Sequence, residues 1–247
     1  MRLPFFLFST VLLVGLSPLT YAADVSAPGL SVDFASDNVD VANAIKVLFG
    51  LTALSLAPAL LIIMTSFTRI IVVLSMLRMA LGMQQTPPNT VLISLALFLT
   101  LFNMMPILTD IDAKALQPYI AEEISIQQAL ELGKAPLRSF MIEHTRQEDL
   151  LLMIDLAKAE IPETVESVSF VQLIPAFMLS ELKTAFQIGF VIFLPFLLID
   201  IVVASVLMSM GMLMVPPMMI SLPIKILMFI LIDGWYIVTK ALMESFL

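Results

Sequence analysis

The sequence predicts an all-α, membrane-associated protein of helical hairpins with kinked or broken helices, plus a small helical extracytoplasmic module. Three observations carry that prediction. Of 247 residues, 60% are hydrophobic and 13% charged, against about 45–50% and ~25% in ordinary globular domains. Four long apolar runs each approach the ~20 residues that a helix needs to cross the hydrocarbon core. Proline, glycine and ionisable residues interrupt those runs. A mean hydropathy of +1.04 disfavours a soluble enzyme. A net charge of −8 argues against an electrostatic hold on nucleic acid. The chain has no Cys, which excludes disulfides, thiolate-ligated metals and thiol catalysis. Its one histidine, His144, argues against a His-rich metal centre or a Ser-His-Asp triad. No cofactor and no catalytic residue is expected.

In chain order, residues 1–22 read as a cleaved signal peptide. Arg2 precedes the apolar stretch 3–16, and Thr20-Tyr21-Ala22-Ala23 offers cleavage after Ala22 or Ala23. An uncleaved N-terminal anchor is the alternative. Residues 23–43 form an acidic tail with Asp24, Asp33, Asp37 and Asp40, expected on the trans side.

Residues 44–109 form a first hydrophobic hairpin, with apolar runs at 47–67 and 91–108. Arg69 and Arg78 lie between the runs, and no acidic residue occurs from 47 to 109. That segment is therefore expected to face the cytoplasm. Residues 110–170 form the extracytoplasmic module. Twelve acidic residues stand there against Lys114, Lys134, Arg138, Arg146 and Lys158. Residues 120–132 and 137–159 show helical spacing, as in Leu150, Met153, Ile154 and Ala157. Gly133 and Pro136 are expected to separate these two stretches, and Pro162 to end the second. Residues 171–247 form a second hydrophobic hairpin, with runs at 186–210 and 218–243. Phe186, Phe190 and Phe193 share a helix face in it, available to neighbours.

Pro58, Pro106, Pro175, Pro195 and Pro223 each remove a helical hydrogen bond and are expected to kink or break these helices. Lys46, Glu181, Lys183, Asp200, Lys225 and Asp233 lie in the same regions. A central charge facing lipid costs at least ~3 kcal/mol, so such groups face protein, water or each other. Glu181 with Lys225 is a candidate ion pair. Lys46 and Lys240 suit snorkelling from helix ends. Asp200 and Asp233 are expected to be buried acids with partners.

The connection between the last two runs is the sharpest anomaly. It reads Met208-Ser209-Met210-Gly211-Met212-Leu213-Met214-Val215-Pro216-Pro217-Met218-Met219, with no charge and half its residues Met. Gly211, Pro216 and Pro217 forbid one continuous helix there. Apolar, non-helical backbone near membrane depth must be shielded by protein or line a cavity. Methionine repacks around varied surfaces, so such loops suit core packing or a deformable gate. A Cu(I) site is the third reading, which makes a small-solute or copper transporter the rival function. An intramembrane enzyme using Asp200 and Asp233 is a further rival without any flanking motif. No phosphate-binding glycine pattern and no hydrolase signature occurs.

Several blocks carry a family resemblance. They are Thr65-Ser66-Phe67-Thr68-Arg69-Ile70, Leu77-Arg78, Gln84-Gln85-Thr86-Pro87-Pro88-Asn89 and Pro175-Ala176-Phe177. Ser180-Glu181-Leu182-Lys183-Thr184-Ala185-Phe186-Gln187-Ile188-Gly189-Phe190, residues 211–217, Leu222-Pro223-Ile224-Lys225 and Asp233-Gly234-Trp235 complete the set. From about residue 44 to its end the chain resembles the FliP family of flagellar type III secretion export-gate proteins. The injectisome SctR group is similar but usually lacks a signal peptide.

The resemblance implies a non-enzymatic core subunit of the flagellar protein export gate. About five copies form a ring with FliQ and FliR, joined by FlhB and FlhA, at the basal body in the bacterial inner membrane. Unfolded flagellar proteins cross through it, and the N-terminal tail and acidic module lie on the periplasmic side. The family's Gly-Met-Met-Met-Val-Pro-Pro gasket maps onto Gly211-Met212-Leu213-Met214-Val215-Pro216-Pro217, with Met210 beside it. Leu213 departs from the pattern but preserves an apolar seal. Glu181, Lys225 and Arg146 match positions where charged pairs hold subunits together.

Overall fold

The computed structural model describes residues 41–158, 167–212 and 214–246, and no strand occurs among them. The signal peptide, most of the acidic tail, Pro162 and Leu213 lie outside the described residues. The chain divides into two units, residues 1–56 and 57–247. The described part of the first belongs to helix α1 (Val41–Ile63), which has no acidic residue in its first turn and no basic one in its last. The hydroxyls of Thr52 and Ser55 donate to the carbonyls of Leu48 and Leu51, so these polar groups are satisfied inside the helix itself.

The second unit holds α2 (Phe67–Ala80), α3 (Asn89–Ile111), a π-helical segment (Asp112–Leu116) and α4 (Gln117–Ile120). Then come α5 (Ile126–Glu143), α6 (Gln147–Leu156), α7 (Phe170–Ser209), α8 (Pro217–Leu231) and α9 (Gly234–Glu244). Helix α2 is the hub. Ile70, Val73, Leu74, Leu77 and Ala80 recur at helical spacing, and all are buried. They pack α2 against α7 and α3. The segment around Arg69 and Arg78 is therefore a core helix. Its apolar face outweighs two cations that both find partners. Arg78 donates from Nη1 to Asn89 Oδ1 at 2.6 Å and to the Pro87 carbonyl at 3.3 Å.

A second buried cluster lies under the polar module: Met104, Phe140, Met141, Val168, Leu173 and Phe177. It joins α3, α5 and the start of α7. Helix α5 begins with a capping box between Ser125 and Gln128 and runs through Gly133 and Pro136 to Glu143. The break expected at 133–136 falls instead at His144 to Arg146. Burial of Phe140 and Met141, beyond the proline, holds the helix together there.

Helix α7 is a single 40-residue helix through Pro175 and Pro195. At 1.5 Å per residue it is about 60 Å long, twice the ~30 Å of a hydrocarbon core. Pro106 and Pro223 likewise sit inside continuous helices, α3 and α8. Neighbouring helices can hold such segments together where a proline removes a bond. Among the described residues, 89–120 and α7 are long and apolar enough to cross a membrane, by length and composition. The run expected at 218–243 is instead a bent pair, α8 and α9, at 67° to each other.

That corner explains Asp233-Gly234-Trp235. Asp233 adopts the left-handed conformation at φ 52° that ends α8, which Asp tolerates better than most residues. A Cβ on Gly234 would enter the ring of Phe229. Glycine thus lets α9 fold back so that Trp235 meets Phe229 edge to face, with centroids 5.5 Å apart.

Candidate functional site

The methionine loop closes the hairpin of α7 and α8. Helix α7 ends in a Schellman turn. Gly211, at φ 73°, donates its N–H to the Met208 carbonyl, and Met212 donates to that of Leu207, both at 3.0 Å. Pro217 opens α8 at a position where its missing N–H leaves no bond unmade. Within the single chain the loop's described methionines are exposed. Met214 is 94% exposed, and Met210, Met212, Met218 and Met219 are exposed too. The loop is an uncharged apolar tip carried on two helices.

Between those helices lies a polar strut. Asp200, on α7, accepts from Lys225 Nζ at 2.6 Å and from Ser221 Oγ at 2.7 Å, both on α8. Lys225 is buried and also donates to the Ala80 carbonyl, 3.1 Å away. That carbonyl belongs to the last turn of α2, where helix carbonyls lack intrahelical partners and a cation is favoured. Asp200 thus has its buried partner, but the pairing expected between Glu181 and Lys225 is not present.

Glu181 pairs instead with Arg69, across α2 and α7. Arg69 donates from Nε to Oε2 at 2.9 Å and from Nη2 to Oε1 at 2.5 Å, and neither side chain reaches solvent appreciably. The fork geometry makes this a bidentate pair. Arg69 Nη1 also donates to the carbonyl and hydroxyl of Ser245, and the guanidinium lies 3.9 Å from the Phe246 ring centre. His144 stands beside this cluster, with Nδ1 2.8 Å from the Phe140 carbonyl. Its ring is 5.6 Å from that of Phe246. Sequence reading missed Arg69, although the apolar spacing that continues through Ile70, Val73 and Leu74 marked its helix as buried.

Arg146 opens α6. Its N–H donates to Ser180 Oγ, which in turn donates to Asp149 Oδ2. Its guanidinium reaches Glu148 at 3.1 Å, while Nη1 is buried with no hydrogen-bond partner among the described residues. Asp233, expected to be a buried acid, is exposed. It sits at the corner between α8 and α9. Asp200 and Asp233 share no described contact. Phe186 and Phe190 are exposed on one face of α7 and, with Phe193, Met76 and Leu197, line an open apolar groove.

Comparison with known proteins gives a consistent result. The model of the FliP family matches residues 50–242. The flagellar biosynthetic protein FliP of Bacillus subtilis is 52% identical over 217 residues, covering 88% of this chain and 98% of that protein. Its namesake in Cereibacter sphaeroides is 50% identical over 219 residues, 89% of this chain and 73% of the relative. That of Pectobacterium carotovorum is 53% identical over 205 residues, 82% and 79% respectively.

Proposed function

The chain belongs to the FliP family, and from that premise we propose that it is a core pore subunit of the flagellar type III protein export gate. Relatives named for flagellar biosynthesis support the flagellar role. In this reading about five copies close into a ring, as heterologous contacts must if they are not to form filaments. FliQ and FliR join the ring, FlhB and FlhA adjoin it, and unfolded flagellar proteins pass through. The subunit does no chemistry of its own. It resides in the inner membrane, with the mature N-terminus, beginning at Ala23 or Asp24, and the acidic module on the periplasmic side.

One observation carries the proposal: an uncharged, methionine-rich tip whose described methionines are exposed on their own chain. An apolar tip of this kind is stable only against another surface, and copies of itself around an axis supply one. Met210, Met212, Leu213 and Met214 form the gasket, and Gly211, Pro216 and Pro217 shape it. Glu181 and Lys225 already have partners within the chain, so their part in the ring is to hold each subunit's shape. Arg146, with its buried Nη1 open to a further acceptor, is the residue offered to a neighbour.

The test is deletion of Met212, Leu213 and Met214 in the assembled complex. Native mass in detergent is expected to stay that of the ring with its partners, while the membrane becomes leaky to small ions. An assembled ring that stays ion-tight without these residues sinks the proposal.

A further inference from the structure

The polar contacts described between the two arms of the loop all converge on one carboxylate. Asp200 takes Lys225 and Ser221 from α8, and Lys225 spans on to the end of α2. Asp200 lies ten residues, or about 15 Å, before Met210 on α7. Ser221 lies about 6 Å up α8 from Pro217. Ser221 and Lys225 are buried, and Asp200 is 34% exposed. The strut therefore sits below the loop, at the level where the two arms still touch. Above it the methionines find little of their own chain: a Cβ on Gly211 would meet nothing within 4 Å.

We infer that Asp200 and Lys225 are positioning residues for the methionine loop, fixing its height and spread relative to core helix α2. The argument is geometric. A tip that does not pack on its own chain takes its place from its supports. Helices α7 and α8 are the supports, and Asp200 is where they are joined. The second contact of Lys225 gives the pair a fixed reference, because Ala80 ends the helix whose apolar face is locked into the core by Ile70, Val73, Leu74 and Leu77. An asparagine at 200 removes the charge that faces the Lys225 ammonium and leaves a single amide oxygen where Ser221 and Lys225 each had an oxygen of their own. The arms then lose their shared anchor, and each loop in a ring sits at its own height. The inference rests on the gate reading for its consequence, but its geometric content stands apart from it.

The chain has no Cys, so a single introduced thiol reports on one place. The experiment uses the full complex in membranes, with Met214→Cys as reporter, alone and combined with Asp200→Asn. Reaction of the thiol with a water-soluble maleimide gives the accessibility of the loop, and ion leak gives its seal. In assembled complexes Asp200→Asn is expected to raise the labelling rate several-fold and to raise the leak. An assembled Asp200→Asn complex with the labelling rate of the Met214→Cys parent overturns the inference. If Asp200→Asn does not assemble, Ser221→Ala decides, because it removes one of the two donors that α8 offers to Asp200 and leaves Lys225 with both of its acceptors. An assembled Ser221→Ala complex with a raised labelling rate supports the strut. Parental labelling, or failure to assemble, overturns the inference. A tight membrane after loop deletion removes the gate reading, whereas the labelling comparison still judges the strut.

Discussion

Glu181→Gln tests how much of the fold rests on one buried pair. The substitution keeps the shape of the side chain but removes the charge that Arg69 faces with two donors. Arg69 is 3% exposed and Glu181 not at all, so water cannot replace the lost carboxylate. Removing one partner of such a pair costs about 3–5 kcal/mol. The Ser245 carbonyl and hydroxyl and the Phe246 ring still hold the guanidinium, which favours the lower end of that range. In a chain of this size each kcal/mol moves the midpoint by roughly 2–4 °C, so a loss of about 3 kcal/mol lowers it by roughly 6–12 °C. Thermal unfolding of the detergent-solubilised protein reads this directly. The double variant Arg69→Met/Glu181→Leu, which removes both charges, is expected to recover most of the loss, to within about 1 kcal/mol of the parent. A fall of less than about 2 °C for Glu181→Gln, or a double variant as damaged as the single one, refutes the reasoning.

Two further outcomes follow from local geometry. Gly234→Ala drives a methyl into the Phe229 ring, which is held by Phe196 and Trp235, and is expected to cost about 1–3 kcal/mol; Phe229→Leu in the same chain should restore most of it in the same unfolding assay. At Glu131, the hydrogen bond and charge of Lys134 hold the carboxyl below the usual glutamate range. Its contribution is therefore present above the unfolded-state pKa and disappears as pH falls through the lower folded value. Both groups are solvated, so Glu131→Gln should leave the unfolding midpoint at neutral pH where it was, while carboxyl titration by NMR shows the depressed value.

Much of this architecture was legible because it follows from composition. Apolar runs with helical spacing in a Cys-free, charge-poor chain admit little but helices. Gly211 and Pro216-Pro217 located the break between α7 and α8, since glycine supplies the positive φ and proline can only begin the next helix. The errors over charged residues share one cause. Charges were assigned by their immediate neighbours in sequence, whereas burial pairs residues that are far apart. Arg69 was given no partner because its carboxylate stands 112 residues away. Glu181 and Lys225 were joined because they were opposite charges in adjoining runs, with Arg69 and Asp200 set aside. Asp233 was expected to be buried, and the 67° corner that exposes it has no apolar-to-polar change in sequence to announce it. The prolines misled for another reason. Pro136 sits within a helix held at both ends, by the Ser125 cap and by Phe140 and Met141, so one missing bond does not stop it.

The position of Arg69 also sets an order of events during biosynthesis. This cation is made early, yet its carboxylate is made 112 residues later and its last acceptor, Ser245, 176 residues later. At about 5–20 residues per second, the nascent chain carries an unneutralised guanidinium for on the order of ten seconds. Helix α2 cannot settle into an apolar surrounding during that interval without a large penalty. The helix at the centre of the finished protein is thus among the last to reach its place. The arginine is fully satisfied only once the segment that carries Ser245 has been made and has folded back onto it.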